Sequence, residues 1–324
     1  MADLRDNTGR LIDYLRISVT DRCNLRCAYC MPAGSEEPPY RLLARDEILE
    51  IVKCMKSLGV THVRVTGGEP LVRPDIIQIV SGIRAIGIDD ISLTTNGTLL
   101  ASSAAALKAA GLARVNVSLD SLDQEVFRKI TGTGTVQDVL SGIDAALQAG
   151  LNPVKVNCVV VRGLNEDGIA DLALLSTKMP VSVRFIEVMP VGPDAQANSR
   201  AFVPATEIMA KVREVGELEV APPPDGAGPA RIYRFRGAPG TIGFISPLSQ
   251  PFCSQCNRLR VTADGKLRPC LSSDIEIDLV PALRSQDRQA ALTALVRQAL
   301  LLKPASHQFL THGSHLRRMC QIGG

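Results

Sequence analysis

The sequence predicts an α/β protein: a partial, six-unit TIM-type barrel of parallel strands, followed by a C-terminal extension. Three observations lead there. Short Val- and Ile-rich runs alternate with stretches of helical periodicity through roughly the first 190 residues. Polar or Gly-rich stretches, "TGGEP", "TTNG", "SLDS" and "EVMP", follow those runs in phase, as loops at the carboxyl ends of parallel strands do. After residue 200 the alternation fades, and a Pro/Gly-rich stretch at 219–231 marks a change of organisation. The expected division is a barrel over residues 1–220 and a C-terminal domain over 221–324.

Taken in order, the expected strands are 15–19, 63–66, 91–95, 115–119, 154–161 and 183–189. "RDEILEIVKCMKSLGV" lies between the first two, with Ile48, Ile51, Val52, Met55 and Leu58 at helical spacing and Gly59 placed to end the helix. "PDIIQIVSGIRAIG", "ASSAAALKAAG", "VQDVLSGIDAALQAG" and "IADLALLSTKM" supply the next crossovers. Six units are too few to close an eight-stranded barrel; a doubly wound open sheet is the alternative. Beyond 220, "IYRF" and "IGFI" read as short strands, and "QDRQAALTALVRQALLLK" as a helix before an irregular tail.

The chain has 324 residues, 45% hydrophobic and 21% charged, with net charge +3. That balance gives no electrostatic case for DNA. The N-terminus has no signal-peptide h-region and no apolar run reaches spanning length, so a cytoplasmic protein without a membrane partner is expected. Nine cysteines, several at ligand spacing, then point to thiolate chemistry rather than disulfides.

Two cysteine groups stand out. "TDRCNLRCAYCMP" places Cys23, Cys27 and Cys30 as C-x3-C-x2-C just past the first strand. "CSQCNRLRVTADGKLRPC" places Cys253, Cys256 and Cys270 as C-x2-C-x13-C. Each supplies three thiolates, one fewer than a closed cluster or a structural zinc takes. Three thiolates can hold a 4Fe–4S cluster and leave one iron open to an exchangeable ligand. A zinc ribbon is the competing reading of the second group, and Cys320 is a distant candidate for its fourth ligand. Cys54 and Cys158, within a helix and a strand, read as packing residues.

The cations form a third pattern. Arg16, Arg64, Lys155 and Arg184 lie on expected strands, and Arg258 and Arg260 follow Cys256. A charge on a barrel strand is costly unless paired or facing a polar lumen, so these residues read as inward anion ligands, with salt bridges to Glu69, Asp120 or Glu187 as the alternative. Arg258 and Arg260 alternate with Leu259, so both face one side of a strand. No G-x4-G-K-[ST] loop is present, which excludes a P-loop nucleotide site.

The first cysteine motif, with Tyr29 before its last cysteine, and "VTGGEP" one strand later resemble the radical S-adenosylmethionine (SAM) superfamily. Together with "FCSQCNRLRVTADGKLRPCL", "VRFIEVMP" and the terminal Gly323–Gly324, the whole chain resembles the GTP 3′,8-cyclase family, which carries out the first step of molybdenum cofactor biosynthesis. The resemblance implies two 4Fe–4S clusters, one on each cysteine group. It implies SAM bound by Tyr29, Gly67, Gly68, Glu69, Ser118 and Met189. It assigns GTP to Arg16, Arg64, Thr95, Lys155, Arg184 and the Arg258–Leu259–Arg260 stretch, and catalysis to Arg16, Arg258, Arg260, Gly323 and Gly324. A flavodoxin- or ferredoxin-type electron donor, a downstream cyclic pyranopterin monophosphate synthase and a homodimer are its implied partners. Small departures are Ala44, where a capping hydroxyl is better, and His62, where relatives use a lysine toward phosphate. His312 and His315 share an i, i+3 spacing but lack further ligands for a metal role. A peptide-modifying radical SAM maturase and a non-enzymatic iron–sulfur or zinc module are the competing functions.

Overall fold

A computed structural model describes residues 4–31, 41–193, 195–223, 228–309 and 316–323. The barrel portion runs β1 (Tyr14–Ser18), α1 (Arg45–Ser57), β2 (His62–Thr66), α2 (Ile76–Ala85), β3 (Asp90–Thr95), α3 (Leu100–Ala109) and β4 (Arg114–Ser118). It continues with α4 (Gln124–Thr131), α5 (Val136–Gln148), β5 (Val154–Val160), α6 (Ile169–Lys178) and β6 (Val181–Glu187). The rest comprises α7 (Ala195–Arg200), α8 (Ala205–Arg213), β7 (Leu218–Val220), β8 (Arg231–Phe235), β9 (Thr241–Ile245) and β10 (Arg258–Val261). Then come β11 (Lys266–Arg268), β12 (Ile277–Asp278), α9 (Val280–Leu283), α10 (Arg288–Leu301) and α11 (Met319–Ile322).

Among the described residues, twelve strands form one sheet in the order β12-β11-β10-β1-β2-β3-β4-β5-β6-β9-β8-β7. β1 to β6 lie side by side in sequence order and pair parallel, without the reversal of order that a doubly wound sheet requires. The six-unit open barrel expected from the alternation is therefore present. The sheet then extends in a way the strand runs did not foretell. β10 adds parallel to β1 and β9 adds parallel to β6, so late strands flank both ends of the six units. Antiparallel β11–β12 and β8–β7 complete the two edges.

Packing explains the elements. In α1, Ile48, Ile51, Val52 and Met55 are buried on one stripe, and Gly59 leaves the helix at φ +106°. Ala44 offers no capping side chain, but the Glu47 carboxylate accepts from the Ala44 amide at 2.8 Å. The short helix α4 was not marked by the sequence runs. It starts at Asp123, whose Oδ1 accepts from the amides of Glu125 and Val126, and it ends at Gly132. One large core holds the inward faces of the helices, and a small separate cluster joins Val191, Phe309 and Ile322.

Candidate active site

Because the strands run parallel, their carboxyl ends converge on one mouth. A cavity of about 320 Å³ opens there and is lined by all six motif cysteines: Cys23, Cys27, Cys30, Cys253, Cys256 and Cys270. The two groups lie more than 220 positions apart in the chain, yet β10 beside β1 sets their loops against the same space.

The first loop is pinned by its own backbone. The amides of Cys30 and Met31 both donate to the Cys27 carbonyl, at 3.0 and 2.8 Å, and Arg26 and Ala28 bond to the end of α4. Burial raises the Cys23 and Cys27 thiols above the ordinary range. The Cys30 thiol is raised first by its hydrogen bond with Cys320 and then by burial. Cys320 thus stands at the first triad, not at the second, where spacing had left it a candidate ligand. Three soft thiol donors on one loop, facing one cavity, suit an iron–sulfur cluster.

The glycines of "GGEP" meet the chain itself. A β-carbon on Gly67 would lie 2.2 Å from the Thr20 carbonyl oxygen, and one on Gly68 2.3 Å from that of Arg22. The Gly68 and Glu69 amides donate to those same carbonyls, which locks the loop to the approach to Cys23. Glu69 is wholly buried; its carboxylate accepts from Leu71 N (3.0 Å), Asn96 N (2.6 Å) and Thr95 Oγ1 (2.8 Å). Burial lifts its pKa to about 7 against those bonds. Glu69 and Thr95 therefore brace the loop between β2 and β3; the Thr95 hydroxyl is already spent. Tyr29 Oη donates to Asp120 at 2.6 Å, which holds the motif's aromatic against the loop after β4. Gly67, Gly68, Ser118 and Met189 line the cavity with Tyr29.

The cations form a row across adjacent strands. In register, Arg260 on β10 stands beside Arg16 on β1, and Arg16 beside Arg64 on β2. Arg184 on β6 and Arg258 also face the cavity, while Lys155 on β5 is wholly buried beneath it. Such crowding destabilises the charged forms. Burial, then Arg260 and Arg64, lower Arg16 well below its usual value. Burial, then Arg184 and Arg114, bring Lys155 to about 6. Burial brings Arg184 to about 9 and, with Arg258, Arg260 to about 10. The carboxylates offered as salt-bridge partners bond elsewhere. Asp120 accepts from Tyr29 and Val159, and Glu187 from Ala205, Leu248 and Ser249. Leu259 is buried on the opposite, core face of β10.

Sequence reasoning missed several contributors. Asp90 ion-pairs with both Arg114 and His62, so His62 is engaged by a carboxylate at the amino end of β3. Lys303 reaches the second triad from the end of α10, with Nζ 3.8 Å from Cys256 Sγ. Burial raises that thiol, but the charges of Lys303 and Arg258 outweigh it and bring it below the usual value. At the tail, Arg260 Nη1 donates to the carbonyls of Ile322 (3.3 Å) and Gly323 (2.7 Å). Gly324, His312 and His315 lie outside the described residues.

Comparison with known proteins agrees with this arrangement. Residues 17–175 match the Radical SAM superfamily model, and residues 181–309 match Molybdenum Cofactor Synthesis C. The chain is 48% identical over 325 residues to the GTP 3′,8-cyclase of Pelotomaculum thermopropionicum, covering 99% of this chain and 100% of that protein. It is 47% identical over 328 residues to the GTP 3′,8-cyclase of Moorella thermoacetica, with the same coverage. Among solved structures it is similar to Streptococcus suis SuiB bound to the precursor peptide SuiA. That likeness has TM-score 0.62 and 15% identity over 97% of this chain and 76% of that one, and it concerns the fold. Two triads around one cavity, a row of arginines beside them and near-full-length relatives at this identity place the chain in the GTP 3′,8-cyclase family of radical SAM enzymes.

Proposed function

We propose that this chain converts GTP to (8S)-3′,8-cyclo-7,8-dihydroguanosine 5′-triphosphate, the first step of molybdenum cofactor biosynthesis. The observation that carries the reading is the one cavity that joins two three-cysteine groups to a row of arginines on adjacent strands. Cys23, Cys27 and Cys30 would hold one 4Fe–4S cluster, and Cys253, Cys256 and Cys270 a second. With a cluster and SAM bound, the first site would supply the one-electron chemistry that removes hydrogen from ribose C3′; once C3′ joins C8, one further electron from a low-potential donor and a proton at N7 would complete the dihydro product.

This chain's residues do the positioning. Tyr29, Gly68, Ser118 and Met189 form the wall that SAM would occupy. Arg16, Arg64, Arg184, Arg258 and Arg260, with Lys155 beneath, bind the triphosphate, whose roughly four negative charges relieve the repulsion among them. The second triad, open at one iron, would hold the purine end. Arg260 links the triphosphate end to the tail, because the same guanidinium holds Gly323. We assign residues 1–220 to the radical SAM barrel, which also supplies Arg16, Arg64, Lys155 and Arg184 to the substrate, and 221–324 to the domain that carries the second cluster and the Gly-Gly tail. A low-potential flavodoxin or ferredoxin as donor, the downstream cyclic pyranopterin monophosphate synthase as consumer, a homodimer and a cytoplasmic location complete the reading. Among the described residues, no helix is long and apolar enough to cross a membrane.

Anaerobic reconstitution tests this reading. The expected result is about eight irons per chain and release of 5′-deoxyadenosine that depends on GTP. Zinc at the second triad, or release indifferent to GTP, would overturn it.

A further inference from the structure

The segment from Lys303 to Phe309 forms a wall of the cavity beside the second triad. It is tied down independently of its side chain at 307. Lys303, 2% exposed, donates Nζ to the carbonyls of Arg258 (2.8 Å) and Pro269 (2.7 Å), bridging the stretches that carry Cys256 and Cys270. Arg10 holds the carbonyls of Pro304 (2.7 Å), Ala305 (3.1 Å) and Cys253 (2.8 Å). The His307 amide donates to Cys253 Sγ at 3.3 Å, and the Gln308 amide to Ser272 Oγ at 3.1 Å.

The His307 ring leans on Phe309, with centroids 4.9 Å apart. Its Nδ1 and Nε2 are both buried, and neither has a hydrogen-bond partner among the described residues. Leaving such buried polar atoms unsatisfied is costly, so a polar ring held this way at a cavity wall suits a group completed by ligand. A neutral imidazole offers one donor and one acceptor. A purine edge carries both kinds side by side, whereas a triphosphate offers acceptors and matches the arginine row.

We propose that His307 is a recognition residue for the purine at the second triad, its imidazole hydrogen-bonding the polar edge of the base. The inference rests on GTP as substrate. A site built around such a bond discriminates strongly once the bond is removed.

The test is equilibrium binding of GTP to the anaerobically reconstituted full chain, without reductant, comparing wild type with His307→Phe and His307→Gln. Phe keeps the stack on Phe309 and removes both polar atoms; Gln keeps a donor and an acceptor. With full iron retained, GTP affinity should fall ten- to a hundredfold in His307→Phe and less in His307→Gln, with SAM affinity unchanged. GTP affinity within twofold of wild type in His307→Phe overturns the proposal. If the Phe variant does not fold, His307→Leu replaces it with the same expected loss, and GTP affinity within twofold of wild type there overturns the proposal. Loss of about half the iron from both variants also overturns it, since the imidazole would then be a cluster ligand. Failure of the wild-type chain to bind GTP would instead sink the substrate reading.

Discussion

Replacing Ile322 with alanine should undock the tail while leaving the barrel intact. Ile322 is 1% exposed, and it packs with Val191 and Phe309 in a cluster separate from the main core. Truncating a buried Ile to Ala costs about 2–4 kcal/mol. At about 1.4 kcal/mol per tenfold, the ratio of docked to undocked tail falls roughly 30- to 700-fold. The carbonyl contacts from Arg260, the Cys30–Cys320 hydrogen bond and the Arg317 ion pairs to Asp264 and Glu276 then remain. Hydrogen exchange reads this directly, because the Gln321 amide bonds Arg318 O and the Gly323 amide bonds Met319 O in the docked tail. Both amides should lose protection by that factor, up to the limit of the free peptide. Since none of these side chains belongs to the large core, the thermal midpoint should stay within a degree or two. Unchanged protection, or a midpoint that falls together with it, would refute the argument that the tail docks as a separate unit.

Other expectations follow from the same contacts. Gly323→Ala should displace the tail as well: the backbone there has φ +69°, and a β-carbon would meet Thr66 Cγ2 at 2.5 Å, so cyclisation should fall while iron content holds. Deleting Gly323 and Gly324 should abolish cyclisation with both clusters assembled; full turnover by the truncated chain would contradict this. Lys303→Met should make the second cluster harder to reduce, seen as a more negative midpoint in an EPR-monitored titration, with the first cluster as internal reference. Asp90→Asn should lower stability and return His62 toward its ordinary pKa, measurable by NMR titration. Burial alone would raise Asp90, but hydrogen bonds from His62 and Arg114 bring it to about 2. That stabilisation is present above pH 3.8 and is lost as pH falls through about 2; at this partly exposed site it amounts to about 1–2 kcal/mol. The complementary rise of His62, caused first by its bond to Asp90, adds stability below pH 6.5 that fades as pH climbs through the raised value.

What the sequence disclosed follows from which forces are local. Val- and Ile-rich runs at 63–66 or 154–161 report a strand buried on both faces, and Ile48 to Leu58 report a helix stripe. The six units were therefore legible. The pairing of Arg258–Val261 with Tyr14–Ser18 was not, because parallel register between distant segments leaves no local period. Arg258 and Arg260 were readable as sharing a face, but their alignment with Arg16 and Arg64 needed that pairing. Glycines 67 and 68 were readable as part of the "VTGGEP" signature, whereas the close passage of the Thr20 and Arg22 backbone against them needed the fold. Lys303 and His307 carried no motif; only the fold brings the end of α10 to Cys253 and Cys256.

The sheet's strand order also bears on how the protein is made. β1 and β6 are bordered by strands that the ribosome delivers late, β10 and β9. At about 5–20 residues per second, a nascent β1 waits on the order of 10 to 50 s for Arg258–Val261 to emerge. During that interval its backbone edge is open to any other extended chain nearby. A fragment ended near residue 220 would keep both borders bare indefinitely, and it should collect in the insoluble fraction even though every cysteine of the first triad is present.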